Sequence, residues 1–113
     1  MIVAVVLFTI AALGGATLLA VRAKSGENPP TALALVHGGA AAAALVALLV
    51  PVATSEVSTT TLVATGLFVV AALGGFALFA SHLRGKRISI PIVLVHGGVA
   101  VVAFVLLLSA VFG

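Results

Sequence analysis

Two histidines, His37 and His96, stand inside long apolar stretches, each followed by a glycine pair: Leu35-Val36-His37-Gly38-Gly39 and Leu94-Val95-His96-Gly97-Gly98. An ionisable group in such a setting is expensive in hydrocarbon and reads as functional, with a nameable partner. Here each histidine has the other. The chain has no Cys, and its two acids, Glu27 and Glu56, fall in the breaks between apolar stretches. Thiol chemistry, cysteine-ligated zinc and iron–sulfur clusters are thereby removed, and a hydrolytic site would lack its acid and nucleophile. Structural zinc wants four ligands, whereas haem iron takes four nitrogens from its own ring and only two axial ligands from the protein. The chemistry that two opposed histidines can perform without further parts is axial ligation of one b-type haem, with His37 and His96 as the metal ligands.

The surrounding residues suit a flat group. Gly14 lies eight residues before Arg22 and His37 lies seven after Pro30, so each sits roughly 10 to 12 Å from one end of its helix at about 1.5 Å per residue. Gly74 and His96 repeat the arrangement. Gly14, Gly15, Gly74 and Gly75 are expected to yield room for the edges of the macrocycle, and Gly38 and Gly97, next to the histidines, are expected to belong to the same cofactor site. Arg22 and Arg84 are expected to pair with its carboxylates at the charged rim. His82 occupies the position matching Arg22 and is expected to be an interfacial side chain rather than an iron ligand. The plainer reading of the glycines is close helix packing, since Ala11/Gly15, Ala71/Gly75, Gly38/Ala42 and Gly39/Ala43 all have the spacing of small residues at membrane helix contacts.

The elements that must position these residues follow from composition. With 64% hydrophobic and 6% charged residues, the chain lacks the roughly one-quarter charged content that covers a soluble domain. It is expected to be an all-α integral membrane protein. Four stretches approach the about 20 apolar residues a span requires: Met1 to Val21, Pro30 to Ala53, Val57 to Ser81 and Ile88 to Gly113. The breaks hold turn and charge chemistry, the second running from Pro51 to Ser58. Phe8, Ala11, Ala12, Leu13, Gly14, Gly15, Leu18 and Ala20 recur sixty residues on as Phe68, Ala71, Ala72, Leu73, Gly74, Gly75, Leu78 and Ala80. The His-Gly-Gly segments recur after a one-residue slip. This predicts a single membrane domain over 1–113, built as a four-transmembrane-helix bundle from a tandem duplicated two-helix hairpin, 1–56 and 57–113. A repeat of two spans returns the chain to its starting side, so the halves form a parallel repeat with a pseudo-two-fold axis along the membrane normal.

All five Lys and Arg residues lie in the first and third breaks. Cations near helix ends stay cytoplasmic, which places loops 22–29 and 82–87 inside, both termini outside, and the chain in a bacterial inner membrane. A net charge of +3 resting on those loops orients a membrane protein and does not describe a nucleic-acid binder.

In layout only, the two His-Gly-Gly segments within a bundle resemble the bis-histidine haem bundles of membrane cytochromes b and the small anchor subunits of quinone-reactive dehydrogenases. The resemblance implies haem b, electron relay inside a larger membrane complex, other membrane subunits and quinone as partners alongside lipid, and at most the electron-transfer subunit of an oxidoreductase. Two other readings use the same residues. A cofactor-free structural accessory subunit would use its small-residue faces for packing and its histidines as hydrogen-bonding glue. A small transporter would need the histidines to relay protons, because neither acid lies within a span. Separate chlorophyll-type pigments, each with one axial histidine, are a further minor option.

Overall fold

The computed structural model describes residues 1–113 and is all-helical. Helices α1 (Ile2–Ser25), α2 (Thr31–Thr54), α3 (Thr59–Leu83) and α4 (Ile90–Phe112) run alternately up and down. They hold 24, 24, 25 and 23 residues, or roughly 35 Å each at the α-helical rise. All four are long and apolar enough to cross a membrane.

The ends of the helices have local causes. Gly26 and Gly85, both at φ 72°, turn the chain in the left-handed region that a side chain disfavours. The Gly26 N–H donates to the Arg22 carbonyl at 3.1 Å, closing α1. Ser58 caps α3, its hydroxyl accepting from the Thr61 N–H at 3.1 Å. Pro91 falls in the first turn of α4, where a missing N–H removes no helical bond.

The helices run past the expected breaks: α1 continues through Arg22 to Ser25 and α3 to Leu83. The second break does not begin at Pro51; α2 passes through that proline and ends at Thr54. So near a helix end the lost N–H affects one bond only. The final turn is closed by the Ser55 N–H on the Pro51 carbonyl at 3.0 Å and by the Thr54 hydroxyl on the Val50 carbonyl at 2.7 Å.

Within the bundle, α1 packs chiefly on α2 and α3 chiefly on α4, with lighter contact from α2 to α3 and from α1 to α4. Across the diagonals the helices meet only through side chains. The Phe8 and Phe68 rings stack with centroids 3.8 Å apart and planes 7° from parallel. Around that stack lies the core: Ala4, Val5, Ala44, Leu48, Ala64, Ala103 and Leu107 are all buried. Every buried helical residue lies in the half of the bundle nearer the termini and the 55–58 loop. The expected compact bundle is therefore compact at one end only. Between that core and the other end, which carries loops 26–30 and 84–89, a cleft opens between the hairpins.

Candidate functional site

Both histidines face the space between the hairpins. A cleft of about 770 Å³ runs through this half of the molecule, walled by all four helices. Its only polar side chains are His37, His82 and His96. Phe8 and Phe68 form its floor, and Pro29 and Ile88 reach it from the loops.

Each imidazole is held by its own hairpin. His37 Nδ1 donates to the Ala11 carbonyl at 2.7 Å, and His96 Nδ1 donates to the Ala71 carbonyl at the same distance. A carbonyl can only accept, so Nδ1 carries the proton; in the neutral ring Nε2 then keeps its lone pair. The local sequence explains why these carbonyls are reachable. Helical side chains lean toward the N-terminus and cover the turn three and four residues earlier. Positions three and four after Ala11 are Gly14 and Gly15, and those after Ala71 are Gly74 and Gly75. With no side chain there, the carbonyl of an otherwise intact helix is open to a second donor.

The same glycines seat the rings. A Cβ on Gly14 would stand 3.3 Å from His37 Cβ, and one on Gly15 would stand 3.0 Å from His37 Cε1. On α3 the corresponding distances are 3.6 Å from Gly74 to His96 Cβ and 3.1 Å from Gly75 to His96 Cε1. The room that the sequence assigned to a cofactor's edges at Gly14, Gly15, Gly74 and Gly75 is thus taken up by the imidazoles themselves. Gly38, Gly39, Gly97 and Gly98 behave differently: they line the cleft, and a Cβ on any of them would meet nothing within 4 Å. These are the flat walls.

Across the diagonal, the His37 and His96 ring centres are 6.2 Å apart and their planes are 89° from parallel. No third His, Cys, Asp or Glu joins them in a metal-binding group.

The expected charged rim is arranged otherwise. Arg22 does not line the cleft; its Nε donates to the Ile88 carbonyl at 3.0 Å. Arg84 stands exposed at the end of α3, also off the cleft wall. At the loop end it is His82 that faces the cleft, its Nε2 within 2.9 Å of the Thr31 hydroxyl and its ring 6.1 Å from that of Phe79.

The loops themselves form a clasp that sequence reading missed. Asn28 Nδ2 donates to the Lys86 carbonyl at 2.6 Å while its Oδ1 accepts from the Ile88 N–H at 2.8 Å. Arg87 pairs with Glu27 at 2.8 Å. Together with Arg22 to Ile88 and Thr31 to His82, these bonds tie the hairpins at the loop end, as the phenylalanine stack ties them at the other. Asn28 before two prolines signals a turn, but its partners sit far along the chain and have no local trace.

Comparison with protein-family models, with characterised proteins and with solved structures finds no match for this chain.

Proposed function

We propose that the protein is a small membrane cytochrome-b-like subunit that holds one haem b between His37 and His96 and relays single electrons within a larger membrane complex, with quinone as a redox partner. The observation that carries the reading is the paired imidazole arrangement. Both rings are pinned through Nδ1, as histidine ligands characteristically are by their outer hydrogen bond, and both leave Nε2 available. Two imidazoles bound to one ion at about 2 Å have ring centres roughly 6 Å apart, which the 6.2 Å separation suits. A cleft of about 770 Å³ also falls in the range that encloses cofactor-sized ligands, roughly 300–1,000 Å³. When bound, the haem would supply a reversible one-electron couple, and two axial histidines would leave no iron position open for oxygen.

The chain's own residues have separable tasks here. Ala11 and Ala71 fix the rings, and Gly38 and Gly97 keep the walls flat. His82, the polar side chain that the cleft wall carries at the loop end, would be the group nearest the haem carboxylates there, in place of Arg22 and Arg84. The recurrence of buried positions supports a duplicated hairpin, 1–56 and 57–113, about a pseudo-two-fold along the membrane normal: Ala4 with Ala64, Phe8 with Phe68, Ala44 with Ala103, Leu48 with Leu107. The cations at the loop end support a cytoplasmic position for it in a bacterial inner membrane.

The test is a reduced-minus-oxidised optical spectrum of the purified protein, loaded with haem, beside His37→Ala and His96→Ala. The expected result is a low-spin b-type spectrum lost in either variant. One observation favours the accessory-subunit reading: both imidazoles are already bonded inside their own hairpins, and no buried polar side-chain atom lacks a partner. That reading expects no haem spectrum and only a modest stability loss from either alanine.

A further inference from the structure

The two imidazole planes are set by different hairpins, and neither ring is free to turn. A hydrogen bond from Nδ1 lies in the plane of its ring, as does the bond to Cβ, so the anchor on its own helix together with the Ala11 or Ala71 carbonyl sets the orientation of each ring. Beside each ring stands a glycine pair with no room for a further carbon: a Cβ on Gly15 or Gly75 would lie 3.0 or 3.1 Å from Cε1 of its histidine. The outcome is a crossing of 89° between the planes.

We infer that the Ala11 carbonyl with Gly15, and the Ala71 carbonyl with Gly75, are positioning elements that hold the axial imidazoles perpendicular, giving the haem-loaded ferric protein a strongly axial low-spin centre. The inference rests on the haem reading above. Its physical basis is the direction of ligand π-donation. An imidazole donates into one iron d orbital, the one perpendicular to its plane. Parallel imidazoles act on the same orbital and split the dxz and dyz pair. Perpendicular imidazoles act on one each, so the pair stays nearly degenerate and orbital angular momentum survives. The electron paramagnetic resonance spectrum then shows a single broad low-field feature in place of three resolved rhombic lines.

Frozen ferric samples of the haem-loaded full chain decide the matter. Wild type is expected to show the strongly anisotropic low-field signal, and so is Gly66→Ala, a control on α3 where a Cβ meets nothing within 4 Å and which lies off the cleft. Gly15→Ala places a Cβ 3.0 Å from His37 Cε1 and should turn that ring, shifting the spectrum of the haem-loaded fraction toward the rhombic form. Gly75→Ala, at 3.1 Å from His96 Cε1, is the equivalent change on the other hairpin if the first fails to fold. A rhombic low-spin spectrum from wild type overturns the inference and leaves the haem reading standing. An unchanged signal in both glycine variants overturns the positioning role. Absence of any low-spin signal, with no haem absorbance, defeats the haem reading and this inference with it.

Discussion

Gly15→Ala and Gly66→Ala make the same chemical change in helices of similar composition, yet the structure assigns them different effects. Alanine is favoured over glycine inside a helix by about 0.8–1.0 kcal/mol, and at Gly66 nothing within 4 Å opposes the new methyl group. Gly66→Ala should therefore stabilise by about that amount. At Gly15 the methyl would stand 3.0 Å from His37 Cε1, and ordinary contact requires the ring to retreat by a few tenths of an ångström. A ring moving that far lengthens and bends its 2.7 Å bond to Ala11 or leaves its rotamer. In membrane proteins such a bond is worth about 0.6 kcal/mol on average and about 1.7 at most, and an off-rotamer side chain costs about 0.5–1.5. Set against the propensity gain, either loss brings the net effect to within about 1 kcal/mol of zero, where Gly66→Ala keeps the full gain. The decisive measurement is a double-mutant cycle on the haem-free protein, unfolded by sodium dodecyl sulfate from mild-detergent micelles. With His37→Ala already present the obstruction is gone, so Gly15→Ala should become stabilising by about 0.8–1.0 kcal/mol. The expected coupling is the cost thereby removed, about 0.5–1.7 kcal/mol. A coupling near zero, with Gly15→Ala stabilising in both backgrounds, would refute the claim that this glycine exists to seat the imidazole.

Other consequences are simpler to state. Asn28→Ala removes two hydrogen bonds between the hairpins and leaves the buried Ile88 N–H without its partner, so stability should fall by about 1–3 kcal/mol. Faster hydrogen exchange at the Ile88 amide is the local check, and unchanged exchange would contradict the clasp. Glu27→Gln breaks an ion pair whose side chains are 66% and 67% exposed, and the unfolding midpoint should shift by no more than about 0.5 kcal/mol equivalent. Leu48→Ala and Leu107→Ala delete the two largest fully buried side chains. Since lipid solvates apolar groups well, packing and cavity terms dominate, and each change should cost about 1–3 kcal/mol. A large difference between these two sites would argue against equivalent environments on α2 and α4.

Composition is enough to make this chain four apolar helices, because a hydrocarbon-compatible sequence has only helices or closed barrels in which to satisfy its backbone. Order along the chain adds the turns at Gly26 and Gly85, the common depth of His37 and His96, and the glycines beside them, since depth is length multiplied by rise. Direction around each helix is another matter. These helices are apolar on every face, so no polar stripe says which side is inward. Tertiary packing alone decides that Gly14 and Gly15 face His37 of the same hairpin, that Arg22 turns to the Ile88 carbonyl, and that His82 takes the cleft wall. The pairing of Asn28 with Lys86 and Ile88 and the crossing of the two imidazoles likewise depend on how two hairpins meet. That meeting is governed by the Phe8–Phe68 stack and the shapes around it, in a medium where hydrophobicity no longer distinguishes inside from outside.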